Sequence, residues 1–176
     1  EAWRDGYTVQ REFEQRLRDE GATAIEEARA GGEKLLVIVG RSYNIYDSGL
    51  NLDLPEKLAE QGRTILPLDF LTLDLARLGE RYRNTYWGYG QRILAALEDV
   101  ARNDLLDAVY FTNFSCGPDS FLLTYASEIM GSKPYLALEL DEHGSDTGYM
   151  TRIEAFFDVL RRPRKSNPAR RPFVSP

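Results

Sequence analysis

Ala108-Val-Tyr-Phe-Thr-Asn-Phe-Ser-Cys-Gly-Pro-Asp-Ser-Phe121 changes character in its middle. It begins as an apolar, strand-like run, breaks at Cys116-Gly-Pro118 and resumes as a helical pattern. Pro118 suits the first turn of a helix, where a missing N–H costs nothing, and Gly117 lets the backbone turn sharply before it. The stretch therefore reads as strand, tight turn and helix. It places Cys116, the single cysteine of the chain, beside a helix N-terminus. Unpaired N–H groups and the helix dipole favour negative charge there, and the thiolate is the form that attacks electrophiles or binds metal. The bland alternative is a buried cysteine acting as a small hydrophobe.

The same alternation extends in both directions. Residues 3–30 carry Trp3, Tyr7, Phe13, Leu17 and Ile25 at spacings near three to four, which predicts one or two amphipathic helices with a break at Gly21. Leu35-Leu-Val-Ile-Val39 is an uninterrupted run of the kind buried on both faces of a sheet. A helix is expected over 50–61, closed by Gly62, then a short strand at Thr64-Ile-Leu66 ended by Pro67. Residues 67–86 read as a short helix or packed excursion. A helix from about Gly90 to Arg102 leads to the third strand, Ala108–Thr112. A helix over Ser120–Met130, a fourth strand at Tyr135–Glu139 and a last helix at Thr151–Leu160 complete the pattern. The expectation is an α/β domain over 33–160, with an open parallel sheet of about four strands in flavodoxin-like (Rossmann-like) order and helices on both faces. Residues 1–32 form a helical segment packed on it, and 161–176 a basic, proline-rich tail or linker.

Composition narrows the function classes. Of 176 residues, 43% are hydrophobic and 28% charged, as in a globular domain with a core. The net charge of −6 disfavours nucleic acid as a partner, and the basic tract from Arg161 sits among prolines. No apolar run approaches the roughly 20 residues of a membrane span. One cysteine excludes an intrachain disulfide and suits a reducing cytoplasm. The breaker-rich ends lead us to expect one domain of a longer polypeptide.

In open parallel sheets, ligands sit beyond the carboxyl ends of the strands. The segments there are Gly40-Arg-Ser-Tyr-Asn-Ile-Tyr-Asp47, Asp69-Phe70, Asn113-Phe-Ser-Cys116 and Asp141-Glu-His-Gly-Ser-Asp146. The first lacks Gly-x-Gly-x-x-Gly and no Walker-type lysine occurs, which argues against nucleotide binding by those motifs. A zinc site needs several Cys or His ligands, and the chain has one of each, Cys116 and His143. The acidic loop reads equally as a solvated turn, with Ser145, Asp146 or Thr151 capping a helix. Cys116 and His143 have the residue types of a nucleophile pair, although spacing alone does not set their distance. Tyr82, Tyr86, Trp87 and Tyr89 could stack a ligand, or pack as aromatic sets more often do.

The rim segments, with Tyr86-Trp-Gly-Tyr-Gly-Gln91, Glu139–Gly148 and Thr151-Arg-Ile-Glu-Ala-Phe156, resemble one family. These are the large activase-like proteins related to 2-hydroxyglutaryl-CoA dehydratase activators, in their dehydratase-like portion. The resemblance spans about residues 35–160, and Asn113–Ser120 is its most specific part. It implies an iron–sulfur cluster, of 4Fe–4S type, in the full-length protein, to which Cys116 contributes one thiolate. It also implies low-potential electron transfer, ATPase activator modules and other domains of the parent as partners, and an acyl-CoA substrate. Ser115, Asn113 and Tyr43 are the expected cofactor-side residues, and Asp119 the expected helix cap. A lone thiolate cannot hold such a cluster, so other domains must complete it. The rival expectation is a non-redox module whose rim, lined by Arg41, Tyr43, Asn44 and Asp141, takes acyl-CoA or another domain. A Cys116–His143 nucleophilic enzyme is the third.

Overall fold

The computed structural model describes residues 2–79, 82, 84–142 and 144–162. Four strands, β1 (Leu35–Gly40), β2 (Thr64–Pro67), β3 (Leu106–Asn113) and β4 (Leu136–Leu140), form one sheet in the order β2-β1-β3-β4. Every pairing is parallel, with Leu36 opposite Ile65 and Asp107, and Phe111 opposite Leu138. This is the flavodoxin-like order expected from the alternation. All six residues of β1 are buried, which explains its lack of any polar alternation.

Parallel neighbours require crossovers, and right-handed ones put the intervening helices on both faces. Helices α5 (Gly88–Arg102) and α6 (Gly117–Met130) pack together on one face. Ile93, Leu94 and Leu97 of α5 and Leu122 and Ala126 of α6 lie in the core. On the other face, α4 (Leu54–Glu60) meets α7 (Thr147–Arg161). Lys57 lies 2.7 Å from Asp146, and Arg63 stacks over the Phe157 ring. Lys133, buried after α6, donates to the carbonyls of Val100 and Asn103 at 2.5 and 2.6 Å and so caps the C-terminus of α5.

Two sequence expectations are corrected here. Helix α1 (Ala2–Gly31) runs unbroken through Gly21. A Cβ on Gly21 would stand 2.0 Å from the Phe70 carbonyl oxygen, so the glycine serves a close approach of the helix to the 3-10 turn Leu68–Phe70. The helix expected over 50–61 is two helices. Helix α2 (Ser42–Tyr46) is followed by α3 (Ser48–Asn51), and Leu52 and Asp53 then turn left-handed, both at φ 56°, before α4. Pro55, in the first turn of α4, cannot continue a helix from α3 because it lacks an N–H and would crowd the preceding turn. Residues 67–86 hold no α-helix among those described; 3-10 turns cover Leu68–Phe70 and Leu75–Leu78. The tail from 163 to 176 lies outside the described residues.

Candidate functional site

The strand order reverses between β1 and β3, so the crevice beyond their carboxyl ends is the switch point where such sheets take ligands. At the end of β1, a Cβ on Gly40 would stand 2.6 Å from the Phe111 carbonyl oxygen, so only glycine brings the strands this close. Arg41 follows, and its guanidinium spans the crevice. One nitrogen, Nη2, donates to Cys116 Sγ at 2.6 Å and lies 3.2 Å from Asp119 Oδ1. The other, Nη1, donates to the Tyr43 hydroxyl at 2.5 Å. The guanidinium carbon sits 4.7 Å from the Trp87 ring centroid and 5.7 Å from that of Tyr43. Burial works against the charge of Arg41, but the Tyr43 hydroxyl, Asp119 and Cys116 outweigh it and hold the guanidinium above its ordinary value.

Asp119 anchors this arrangement. Its carboxylate is 1% exposed; Oδ2 accepts from Thr112 Oγ1 at 2.9 Å and from the Asn113 N–H at 3.4 Å, which leaves Oδ1 for Arg41. It therefore points back into the sheet and does not cap α6, contrary to the expectation from its position in the first helical turn. Cys116 is itself the residue before α6, which starts three residues earlier than its sequence pattern suggests. A tight turn delivers it. The Cys116 N–H donates to the Asn113 carbonyl at 3.2 Å, and Ser115 is held at φ 56°, a conformation that costs a non-glycine residue energy. Tyr110, fully buried beneath, is kept neutral: burial pushes its phenol up and the nearby Asp119 carboxylate adds to this.

Of the expected cofactor-side residues, Tyr43 stacks beside the arginine, Ser115 is exposed next to the thiol, and Asn113 binds the neighbouring loop. Asn113 Oδ1 accepts from Asn44 Nδ2 at 2.9 Å. Asn44 is fully buried and ties the loops after β1 and β3 together, so it cannot line an open pocket as the rival reading expects. Asp141 leaves β4 at the same edge of the sheet, where it takes the Tyr149 hydroxyl at 3.3 Å. Asp146 precedes α7 without a side-chain cap and pairs with Lys57 instead. His143 lies outside the described residues, so its place relative to Cys116 is not part of this geometry.

The residue types did not single out Arg41 as the hub or Asp119 as its anchor. The available signal was an arginine placed directly after a fully apolar strand. Beside this polar group runs a cleft of about 430 Å³, lined by Tyr86, Trp87, Pro118, Phe121 and Tyr125 among others. Its rim is strongly aromatic, with Tyr86 86% and Phe121 72% exposed. The aromatic set is thus divided: Tyr82 packs edge-on against Tyr125 in the core, whereas Tyr86 faces solvent. A second polar group marks the end of β2. Asp69 there accepts from Tyr46 at 2.8 Å and pairs with Arg92 of α5. Enclosure of the Tyr46 hydroxyl, followed by its contact with Asp69, pushes that phenol up, although half the side chain faces solvent.

No group of three or more Cys, His, Asp or Glu side chains is placed to hold a metal ion among the described residues. The described residues offer one thiol, Cys116, and so do not by themselves supply the four thiolates of an iron–sulfur cluster. No described helix is long and apolar enough to cross a membrane.

Comparison with curated proteins returned no match, and neither did comparison with solved structures. Residues 1–71 do match a family, described as a CoA enzyme activase uncharacterised domain. The matched stretch ends before β3, so it includes Arg41 and Tyr43 but not Cys116. Over α1 through β2, the chain is similar to a CoA enzyme activase domain, and the match carries no statement about a dehydratase portion.

Proposed function

We propose that this chain is a domain of an activase-type protein that supplies one thiolate, Cys116, to an iron–sulfur cluster completed by another part of the assembly. The single observation behind this reading is the contact between Arg41 Nη2 and Cys116 Sγ at the switch point of the sheet. A thiolate-bound cluster supplies one-electron transfer at low potential when bound. The role of Arg41 is to set a fixed positive charge against the sulfur, while Asp119 keeps the guanidinium from turning away. Tyr43 and Trp87 cover its flanks, and Ser115, exposed and directly before Cys116 in the chain, is the proposed hydroxyl donor to the cluster. Hydrogen bonds and charges of this kind tune ligand sulfur. ATPase activator modules and an acyl-CoA substrate belong to the same proposal.

The test uses a longer protein containing this chain, purified anaerobically. Cys116→Ala is expected to remove iron and the visible charge-transfer absorption while circular dichroism stays unchanged. Full iron content in that variant would reject the assignment. A second reading is favoured by the open aromatic cleft: a non-redox module that docks acyl-CoA or another domain there. In that case Phe121→Ala, and not Cys116→Ala, would abolish association. The third, a Cys116–His143 nucleophile pair, would instead show stoichiometric thiol labelling with loss of a hydrolase or transferase activity.

A further inference from the structure

Helix α1 spans 30 residues, about 45 Å, but only its second half belongs to the core. Gly21, Ala24, Ile25 and Ala28 lie on the face that packs against the domain. Extended toward the N-terminus at helical spacing, the same face carries Trp3, Tyr7, Phe13 and Leu17. There nothing among the described residues covers the stripe: Trp3 is 77% exposed, and Tyr7 and Phe13 are exposed with it. A packing surface thus continues beyond the body that uses it. Trp3 and Tyr7 are already stacked on each other, 5.6 Å between centroids, which presents them as one flat patch.

The charges beside the stripe say what covers it. Arg4, Arg11 and Arg18 recur every seven residues and so form a row along one flank, each about 10 Å from the next. An antiparallel second copy, pairing Trp3 with Leu17 and Tyr7 with Phe13, would bring this arginine row against itself, which is repulsive. An anionic membrane fits no better: residues 2–20 hold four arginines against five carboxylates. From this geometry we infer that the projecting half of α1 is a docking helix for another polypeptide segment, an apolar helical groove bordered on one side by Asp or Glu. Large stacked aromatics supply the anchor, and the arginine row sets partner and register.

The experiment uses the full chain and two fluorescein-labelled helical peptides with identical leucine faces, one flanked by Glu and the other by Lys. Anisotropy is expected to show the Glu peptide binding about tenfold more tightly at low salt, with the gap closing as salt rises. Reversing the row (Arg4→Glu, Arg11→Glu, Arg18→Glu) should invert the preference, and Trp3→Ala with Tyr7→Ala should weaken both peptides. All five positions are on the helix surface, so circular dichroism should not change. Equal binding of the two peptides, or none, overturns the inference. So does a dimer of the chain alone that neither peptide dissociates, or preferential uptake by phosphatidylserine vesicles.

Discussion

Asp119 and Arg41 meet across the switch point with 3.2 Å between Oδ1 and Nη2, and that same nitrogen reaches Cys116 Sγ. A carboxylate fixed by the sheet thus sets where a guanidinium stands, and the guanidinium sets the surroundings of the thiol. The pair is largely withdrawn from water, with the Arg41 side chain 18% exposed. Cutting one member leaves a charge without its partner.

Asp119→Ala should therefore cost about 3 kcal/mol in urea unfolding. The double variant Asp119→Ala with Arg41→Met should lose less than the sum of the two single changes, because they share one interaction. Additive losses would show that the ion pair contributes nothing.

Gly21→Ala and Gly6→Ala should move stability in opposite directions although both lie in α1. At Gly21 the new methyl would meet the Phe70 backbone, and the overpacking should cost about 1–3 kcal/mol. At Gly6 a Cβ meets nothing, so the better helix former should add up to about 1 kcal/mol. Thermal unfolding of the two variants checks both signs.

Lys133→Met should destabilise the domain by about 1–3 kcal/mol, since the carbonyls of Val100 and Asn103 lose the buried ammonium and keep only their backbone donors, the N–H groups of Asn103 and Leu106. Hydrogen exchange should rise first in the last turn of α5.

The domain should weaken in alkali. Tyr46 and Tyr110 are held protonated in the fold above the ordinary phenol value, by burial and then by Asp69 and Asp119 respectively. Their contribution is fully present below the unfolded value of about 10, and is lost as pH rises through the folded values, because the unfolded chain then binds fewer protons. Absorbance titration near 295 nm should show these two phenols ionising last. Tyr46→Phe and Tyr110→Phe should flatten the fall of stability above about pH 10.

The alternation of strand and helix was legible in the residues. Leu35–Val39 has no polar position because both its faces are covered, and Cys116-Gly-Pro118 marks the turn into a helix because those residue types suit that backbone. Parallel order followed from the helices in between, and with it the single rim that receives the loops after β1, β3 and β4. Such features are local, and burial or turn geometry imprints them on neighbouring residues. What the residues did not disclose depends on partners far along the chain. Gly21 read as a break because its reason, the Phe70 backbone, lies elsewhere. Asp119 read as a cap because helix position is visible in sequence, whereas Arg41 is 78 residues away. Periodicity records which face a residue presents, not what meets it there. Only the strand order, which sets β1 beside β3, brings Arg41 to Cys116 and makes the site.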